Sequence, residues 1–388
     1  MSLAPAIVGL GMTPMSVTAG PDSFVLAAAA VGAALADAGL TRADVDGVLV
    51  GSSQGVREDR LSVALARRAG FGDLRLLEHL EIKGATAVAM VTRAVLAIRA
   101  GMARTVICVF ADAPVGGGSA GTLYARSGGN SGVRGLERAS GVLGSVPTFA
   151  LLASRYLHVS GGTEADLCAV ALAARAWAAG SEQAVNRKPL DEDGYYASRM
   201  ISTPLRVPDC ARPVNGAVAV IVSSARPASQ AGSAKPAITI PGMGAVHPMR
   251  RRRAGAESWF GGGGQAVDDA LAMAGTSRAG LDVVELYDPF SIVTLCLLEE
   301  YGFCESGQAG KFVRGGGIAP GGELPVNTGG GQLSGFYLQG MTPLAEAVIQ
   351  LRGDGGDRQV TAARTALVTG IGGRIDHHAA LVLAREAA

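Results

Sequence analysis

Two tyrosines in the last third of the chain carry the chemistry that residue types suggest. Tyr287 lies in Glu285-Leu286-Tyr287-Asp288-Pro289-Phe290, at the end of an apolar, strand-like run. Tyr337 follows the glycine cluster of Asn327-Thr328-Gly329-Gly330-Gly331-Gln332. The two are expected to face one another across a pocket. A phenol titrates near ~10, so it is an acid by default and a base only where a neighbour favours phenolate. Asp288 either polarises Tyr287 or serves as a turn or cap residue. His378, just before the apolar run 379–383, is expected to stabilise a loop, and His377 to meet solvent. Taken alone, each tyrosine also reads as a core or rim residue with a satisfied hydroxyl.

Composition narrows the setting. The 388 residues are 48% apolar and 17% charged, which favours a compact α/β protein over a disordered chain. A net charge of +1 provides no field for nucleic acid or an anionic membrane. No apolar run is long enough to span a membrane, and the N-terminus has no signal-peptide pattern. Cys108, Cys168, Cys210, Cys296 and Cys304 are widely spaced and form no C-x-x-C pair. They read as reduced thiols of a cytoplasmic protein, with no metal on this chain. The run from His247 to Arg253 reads as a solvated surface, with a phosphate group or an acidic partner as the alternative contact. The glycine clusters match no Walker or dinucleotide fingerprint.

Strands are expected at 6–11, 46–51, 105–110 and 217–222. Helices are expected at 23–39, capped by Ser23, at 61–69, from about 86 to Gly101, and at 164–179. Their alternation predicts a mostly parallel sheet. Residues 113–203 break the rhythm and read as an inserted loop domain, and 225–235 as a linker. The second half then repeats the first. Residues 34–46 and 270–282 are identical at eight of thirteen positions, and Pro5-Ala6-Ile7 recurs as Pro236-Ala237-Ile238. Two related halves packed face to face follow: 1–112 with 204–230, and 231–388.

Two further motifs give this plan a family. Pro204-Leu205-Arg206-Val207-Pro208-Asp209-Cys210, followed by Asn215-Gly216-Ala217-Val218-Ala219, is one; Glu323-Leu324-Pro325-Val326-Asn327-Thr328-Gly329-Gly330 is the other. With the duplication, they resemble the thiolase superfamily over nearly the whole chain, on its sterol-carrier and lipid-transfer branch. The resemblance implies an α/β thiolase-like fold: two duplicated βαβαβ halves packed as a layered αβαβα core with an inserted loop domain. The departures matter more. The nucleophilic cysteine of a thiolase corresponds to Gly84, and its second cysteine to Gly370 in Gly370-Ile371-Gly372-Gly373. Tyr287 stands at the asparagine of the family's Asn-Glu-Ala-Phe motif, and Tyr337 at the histidine of its Gly-His-Pro motif. Covalent catalysis through cysteine is thereby lost.

This pattern resembles the thiolase-fold aldolases that cleave steroid side-chain β-hydroxyacyl-CoA thioesters. The implied reaction is a retro-aldol cleavage to a ketone or aldehyde and a shorter acyl-CoA, such as propionyl-CoA or acetyl-CoA. Tyr287 and Tyr337 would transfer the protons. Backbone N–H groups at Gly84, Gly370, Gly372 and Gly373 would bind the enolate oxygen. The glycines would also enlarge the pocket for a bulky substrate. No cofactor is expected on this chain beyond the coenzyme A of the substrate. The resemblance also implies a homodimer, joined by a small OB-fold and zinc-ribbon partner into a heterotetramer, with zinc only on that partner. The alternatives are a non-catalytic acyl-CoA or lipid carrier or scaffold subunit, and a thiolase-type acyltransferase.

Overall fold

The computed structural model describes residues 4–53, 61–116, 131–225, 235–249, 258–373 and 375–386. Most of the expected linker, and the arginines of the run after His247, lie outside these residues. In the first half, β1 (Ala6–Met12), α1 (Ser23–Ala38), β2 (Gly47–Gly51), α2 (Leu61–Arg68), β3 (Leu76–Leu80), α3 (Thr86–Arg99) and β4 (Thr105–Asp112) follow in order. Next come α4 (Gly132–Ala139), α5 (Val146–Ser160), α6 (Glu164–Ala179), α7 (Glu192–Ala197) and the small pair β5 (Met200–Ser202) and β6 (Leu205–Arg206). Strand β7 (Gly216–Ser223) completes the half. The second half holds β8 (Ile238–Val246), α8 (Gly264–Ala274), β9 (Val283–Glu285), α9 (Ser291–Glu300), α10 (Ala309–Arg314), α11 (Met341–Arg352), β10 (Thr365–Gly372) and β11 (His377–Arg385).

The strands form one sheet in the order β3-β2-β4-β7-β1-β8-β11-β10-β9. This corrects the expectation of mostly parallel sheets. Only β2–β3, β2–β4 and β9–β10 are parallel among the described pairs. β7 starts opposite the end of β4, with Gly216 facing Asp112, and β11 returns from β10 through a short turn. A strand that returns without crossing the sheet must run antiparallel. The halves also touch along an edge, where Ala6 pairs with Thr239 and Ile7 with Ile238.

The layers are nevertheless αβαβα. α1 and α2 cover the first half of the sheet, and α8 and α9 cover the second. α3 and α11 lie between, contacting strands of both halves in one shared core. The two copies of the duplicated segment match in detail. Gly39 and Gly275 end α1 and α8 at φ 63° and 64°. Asp46 accepts the Thr105 N–H, and Asp282 accepts the Thr365 N–H, each at 2.9 Å. The cap of α1 is Asp22, accepting from Phe24 and Val25 N–H at 2.9 Å, and not Ser23, which is buried.

Candidate active site

The site forms where the ends of β9 and β10 meet the N-termini of α3 and α11. The chain leaves β9 at Glu285, places Tyr287 and Asp288, and enters α9 at Ser291. The turn 326–335 then grips this segment. Asn327, at φ 54°, accepts the Leu286 N–H at 2.6 Å, and its side chain also bonds Asp288. Thr328 donates to Glu285 through its N–H at 3.0 Å and its hydroxyl at 2.8 Å. The Gln332 N–H donates to Asp288 Oδ1 at 2.8 Å. A Cβ at Gly331, whose φ is 56°, would lie 2.1 Å from Asp288 Oδ2. Glycine is required there by both conformation and space.

Tyr287 and Tyr337 do not flank an open gap. Their hydroxyls meet directly at 3.3 Å. Tyr287 is 7% exposed, and Tyr337 is half-buried beside Pro213. The Tyr287 ring fills the space in front of Gly84, just before α3. A Cβ at Gly84 would lie 2.2 Å from Tyr287 Cζ and 2.3 Å from the Ile371 carbonyl oxygen. A Cβ at Gly370 would meet Ala85 Cα at 2.8 Å. The expectation that the two glycines widen the pocket is therefore wrong: the tyrosine ring and the backbone of residues 84–85 take up that volume. Gly370 and Gly372 belong to β10, opposite Ala379 and His377 of β11. Gly373 turns outward beside Asp376 and His377, so it is not part of the tyrosine cluster.

Three electrostatic features distinguish the groups. Burial and the Asp112 carboxylate both push the Tyr337 phenol up, against the Tyr287 hydrogen bond that lowers it. Burial pushes the Asp288 carboxyl up to about 8, although Gln332 and Leu333 N–H and the Asn327 side chain oppose this. Burial, with the Glu346 carboxylate nearby, holds Glu285 well above the usual carboxylate range. Glu346 is paired in two places with Arg358, at 2.9 and 3.0 Å, and receives the Thr328 hydroxyl at 3.1 Å.

His378 packs against the turn at Gly263 and bonds the Ile375 backbone. It is fully buried in β11, with Nδ1 3.0 Å from the Tyr301 hydroxyl. Burial lowers it to about 4. His377 is half-buried rather than free in solvent, with Nδ1 2.8 Å from His247 Nδ1. Residue types alone missed Asn327, Gln332, Thr369 and Asp112. Asn327 and Gln332 lie in the glycine-rich motif itself. Asp112, bonded to Ser53 at 2.6 Å, ends a strand far away in sequence and left no local signal. Among the described residues, no group of three or more His, Cys, Asp or Glu side chains could hold a metal ion, and no helix is long and apolar enough to cross a membrane. A cavity of about 620 Å³ lined by Gln350, Gln359, Arg364 and Arg385 opens at the other end of β10 and β11.

Comparison with known proteins agrees with this architecture. The family model for the thiolase C-terminal domain matches residues 252–385. The chain is 35% identical over 360 residues to a 17-hydroxy-3-oxo-4-pregnene-20-carboxyl-CoA lyase of Mycobacterium tuberculosis, covering 90% of this chain and 91% of that one. It is 32% identical to a steroid side-chain-cleaving aldolase of Thermomonospora curvata, covering 90% of each. A solved Ltp2–ChsH2 (DUF35) aldolase superposes with a TM-score of 0.84 at 29% identity, over 100% of this chain and 99% of that one. Human mitochondrial 3-ketoacyl-CoA thiolase shares the fold, with a TM-score of 0.69 at 16% identity over 99% of each chain.

Proposed function

The chain belongs to the thiolase superfamily, on the branch that holds the sterol-carrier thiolases and the steroid side-chain-cleaving carbon–carbon lyases, and from that premise we propose an acyl-CoA aldolase whose proton carriers are Tyr287 and Tyr337. The observation that carries the reading is the 3.3 Å contact between the two phenols, with the Tyr287 ring where a nucleophile on residue 84 would stand. The substrate class is a β-hydroxyacyl-CoA with a steroid acyl group, by likeness to the relatives' named activities.

The chemistry balances without a covalent intermediate. The bond between the α-carbon and the carbinol carbon breaks, and its electron pair enters the thioester as an enolate. The carbinol oxygen becomes the new carbonyl, and its proton goes to Tyr287, which starts as the phenolate. Tyr337 delivers a proton to the α-carbon, and the hydrogen bond between the phenols returns the pair to its starting state. The division of labour follows from surroundings. Tyr287 lies at the start of α3, where the helix dipole favours negative charge. Burial, with the Asp112 carboxylate, keeps Tyr337 protonated. Backbone N–H groups near Gly84 are the enolate donors in this proposal.

A small DUF35-type partner, with an OB-fold and a zinc ribbon, is part of the same proposal, as is a homodimer at the centre of a heterotetramer. The similar Ltp2–ChsH2 structure supports the partner. The test is to copurify the complex and follow ketone release from 17-hydroxy-3-oxo-4-pregnene-20-carboxyl-CoA. Tyr287→Phe and Tyr337→Phe are each expected to lower kcat by about 100-fold or more. Full activity in both variants removes the assignment.

A further inference from the structure

Resting on the reading of Tyr287 and Tyr337 as the proton carriers, we propose that Asp209 is a positioning residue that sets how the two phenols meet. It anchors the segment 206–213, whose backbone lies against both tyrosine segments. Cys210 forms an antiparallel bridge with Phe290, and the Ala211 N–H donates to the Pro289 carbonyl at 2.9 Å. Pro213 forms a parallel bridge with Tyr337 itself. One short strap therefore runs from the segment that carries Tyr287 to Tyr337. The chain from Cys210 to Pro213 can span at most about 11 Å, so the two segments cannot separate unless a bridge breaks.

Isolated bridges hold a strap only where its ends are fixed, and Asp209 fixes one end. Its Oδ1 accepts the Ser291 hydroxyl at 2.6 Å. Its Oδ2 accepts the Tyr195 hydroxyl at 2.8 Å and the Arg206 N–H at 2.7 Å. These donors belong to the first residue of α9, to α7 and to the end of β6. Asp209, Tyr195 and Ser291 are each 0% exposed, so bulk water has no access to replace a lost bond. The other end is fastened just past Pro213. The Asn215 N–H donates to the Ser16 carbonyl at 2.8 Å. The Asn215 side chain accepts the Val115 N–H and donates to the Val115 carbonyl, each at 2.8 Å.

The anchor is geometric, and an asparagine can copy it. An amide oxygen would accept from Tyr195 and Arg206, and the amide NH2 would donate to the Ser291 oxygen. An alanine leaves all three donors without a partner in a dry site.

The test uses the copurified complex and 17-hydroxy-3-oxo-4-pregnene-20-carboxyl-CoA. Asp209→Ala is expected to lower kcat about 30-fold with KM little changed, because misplaced phenols slow proton transfer and leave substrate binding intact. Asp209→Asn is expected to restore kcat to within about threefold of wild type. In a Tyr337→Phe background, Asp209→Ala is expected to cost less than about threefold, because the pair it aligns is already gone. Hydrogen exchange of the 206–216 peptide, which reports the Ala211 amide, is expected to speed in Asp209→Ala and to recover in Asp209→Asn. Ser291→Ala and Tyr195→Phe each remove one bond and are expected to speed exchange and lower kcat about threefold, which keeps the proposal testable if Asp209→Ala does not fold. Wild-type kcat in Asp209→Ala, an asparagine variant no better than alanine, an undiminished cost in the Tyr337→Phe background, or wild-type exchange in both single-bond variants overturns the proposal. Exchange does not depend on turnover, so full activity in Tyr287→Phe and Tyr337→Phe would sink the aldolase mechanism and leave the exchange test of the anchor standing.

Discussion

At the scale of single residues, what matters is which atoms compete for one small volume. Gly84 is glycine because the Tyr287 ring and the Ile371 carbonyl occupy the space of its Cβ. A side chain at 84 and the Tyr287 ring therefore exclude each other. Gly84→Ala is expected to destabilise the protein by about 1–3 kcal/mol through overpacking, and to lower activity by displacing the Tyr287 ring. Urea unfolding and the aldolase assay check both, and an unchanged midpoint with full activity contradicts the account. The glycines at 84 and 370, and the tyrosines at 287 and 337, were legible from residue types set beside a family pattern. That the missing thiol leaves no added room was not, because sequence order carries no information about which ring fills a vacated site.

At the scale of elements, the site is a clamp between two segments. The turn 326–335 holds the segment after β9 through Asn327, Thr328 and Gln332, and the Asp288 carboxyl sits at its centre. The Asp288 carboxyl is raised from 3.8 to about 8 in the folded protein. Between those values the folded state holds a proton that the unfolded chain has released. Its contribution is thus fully present below about pH 4 and is lost as pH rises towards 8, by at most about 1.4 kcal/mol per pH unit. Glu285 is shifted in the same direction, so wild type and Asp288→Asn must be compared. The variant is expected to show a flatter loss of stability from pH 5 to 8 in urea titrations, and parallel curves for the two proteins would refute the shift. The element boundaries were largely readable in advance: helix Glu164–Ala179 matches its expected span, and α1 misses only its cap. Asp22 was overlooked because serine and aspartate adjoin there and both cap well. Strand direction was misread because alternation of helices and strands shows a crossover but not a hairpin return such as β10 to β11.

At the scale of the whole molecule, duplication and layering act together. Residues of α3 and α11 share one core with strands of both halves, so neither half has a complete interior alone. Thermal unfolding of the chain is expected to be a single transition with equal calorimetric and van't Hoff enthalpies. Two resolved transitions would show that the halves are independent. The repeat in 34–46 and 270–282 was visible in the sequence because it is local and because its residues do the same work twice, in helix ends and in aspartates that receive backbone N–H groups. The amino-acid sequence by itself determined the duplicated α/β plan, the absence of cysteine at 84 and 370, and the presence of two tyrosines in their neighbourhood. Only the tertiary structure decided that the phenols touch, that the Asp112 carboxylate acts on Tyr337, and that His378 is buried against Tyr301. The physical reason is range: propensity and spacing act over a few residues. Tyr287 and Thr369, by contrast, are brought together by a sheet whose neighbouring strands are distant in the chain.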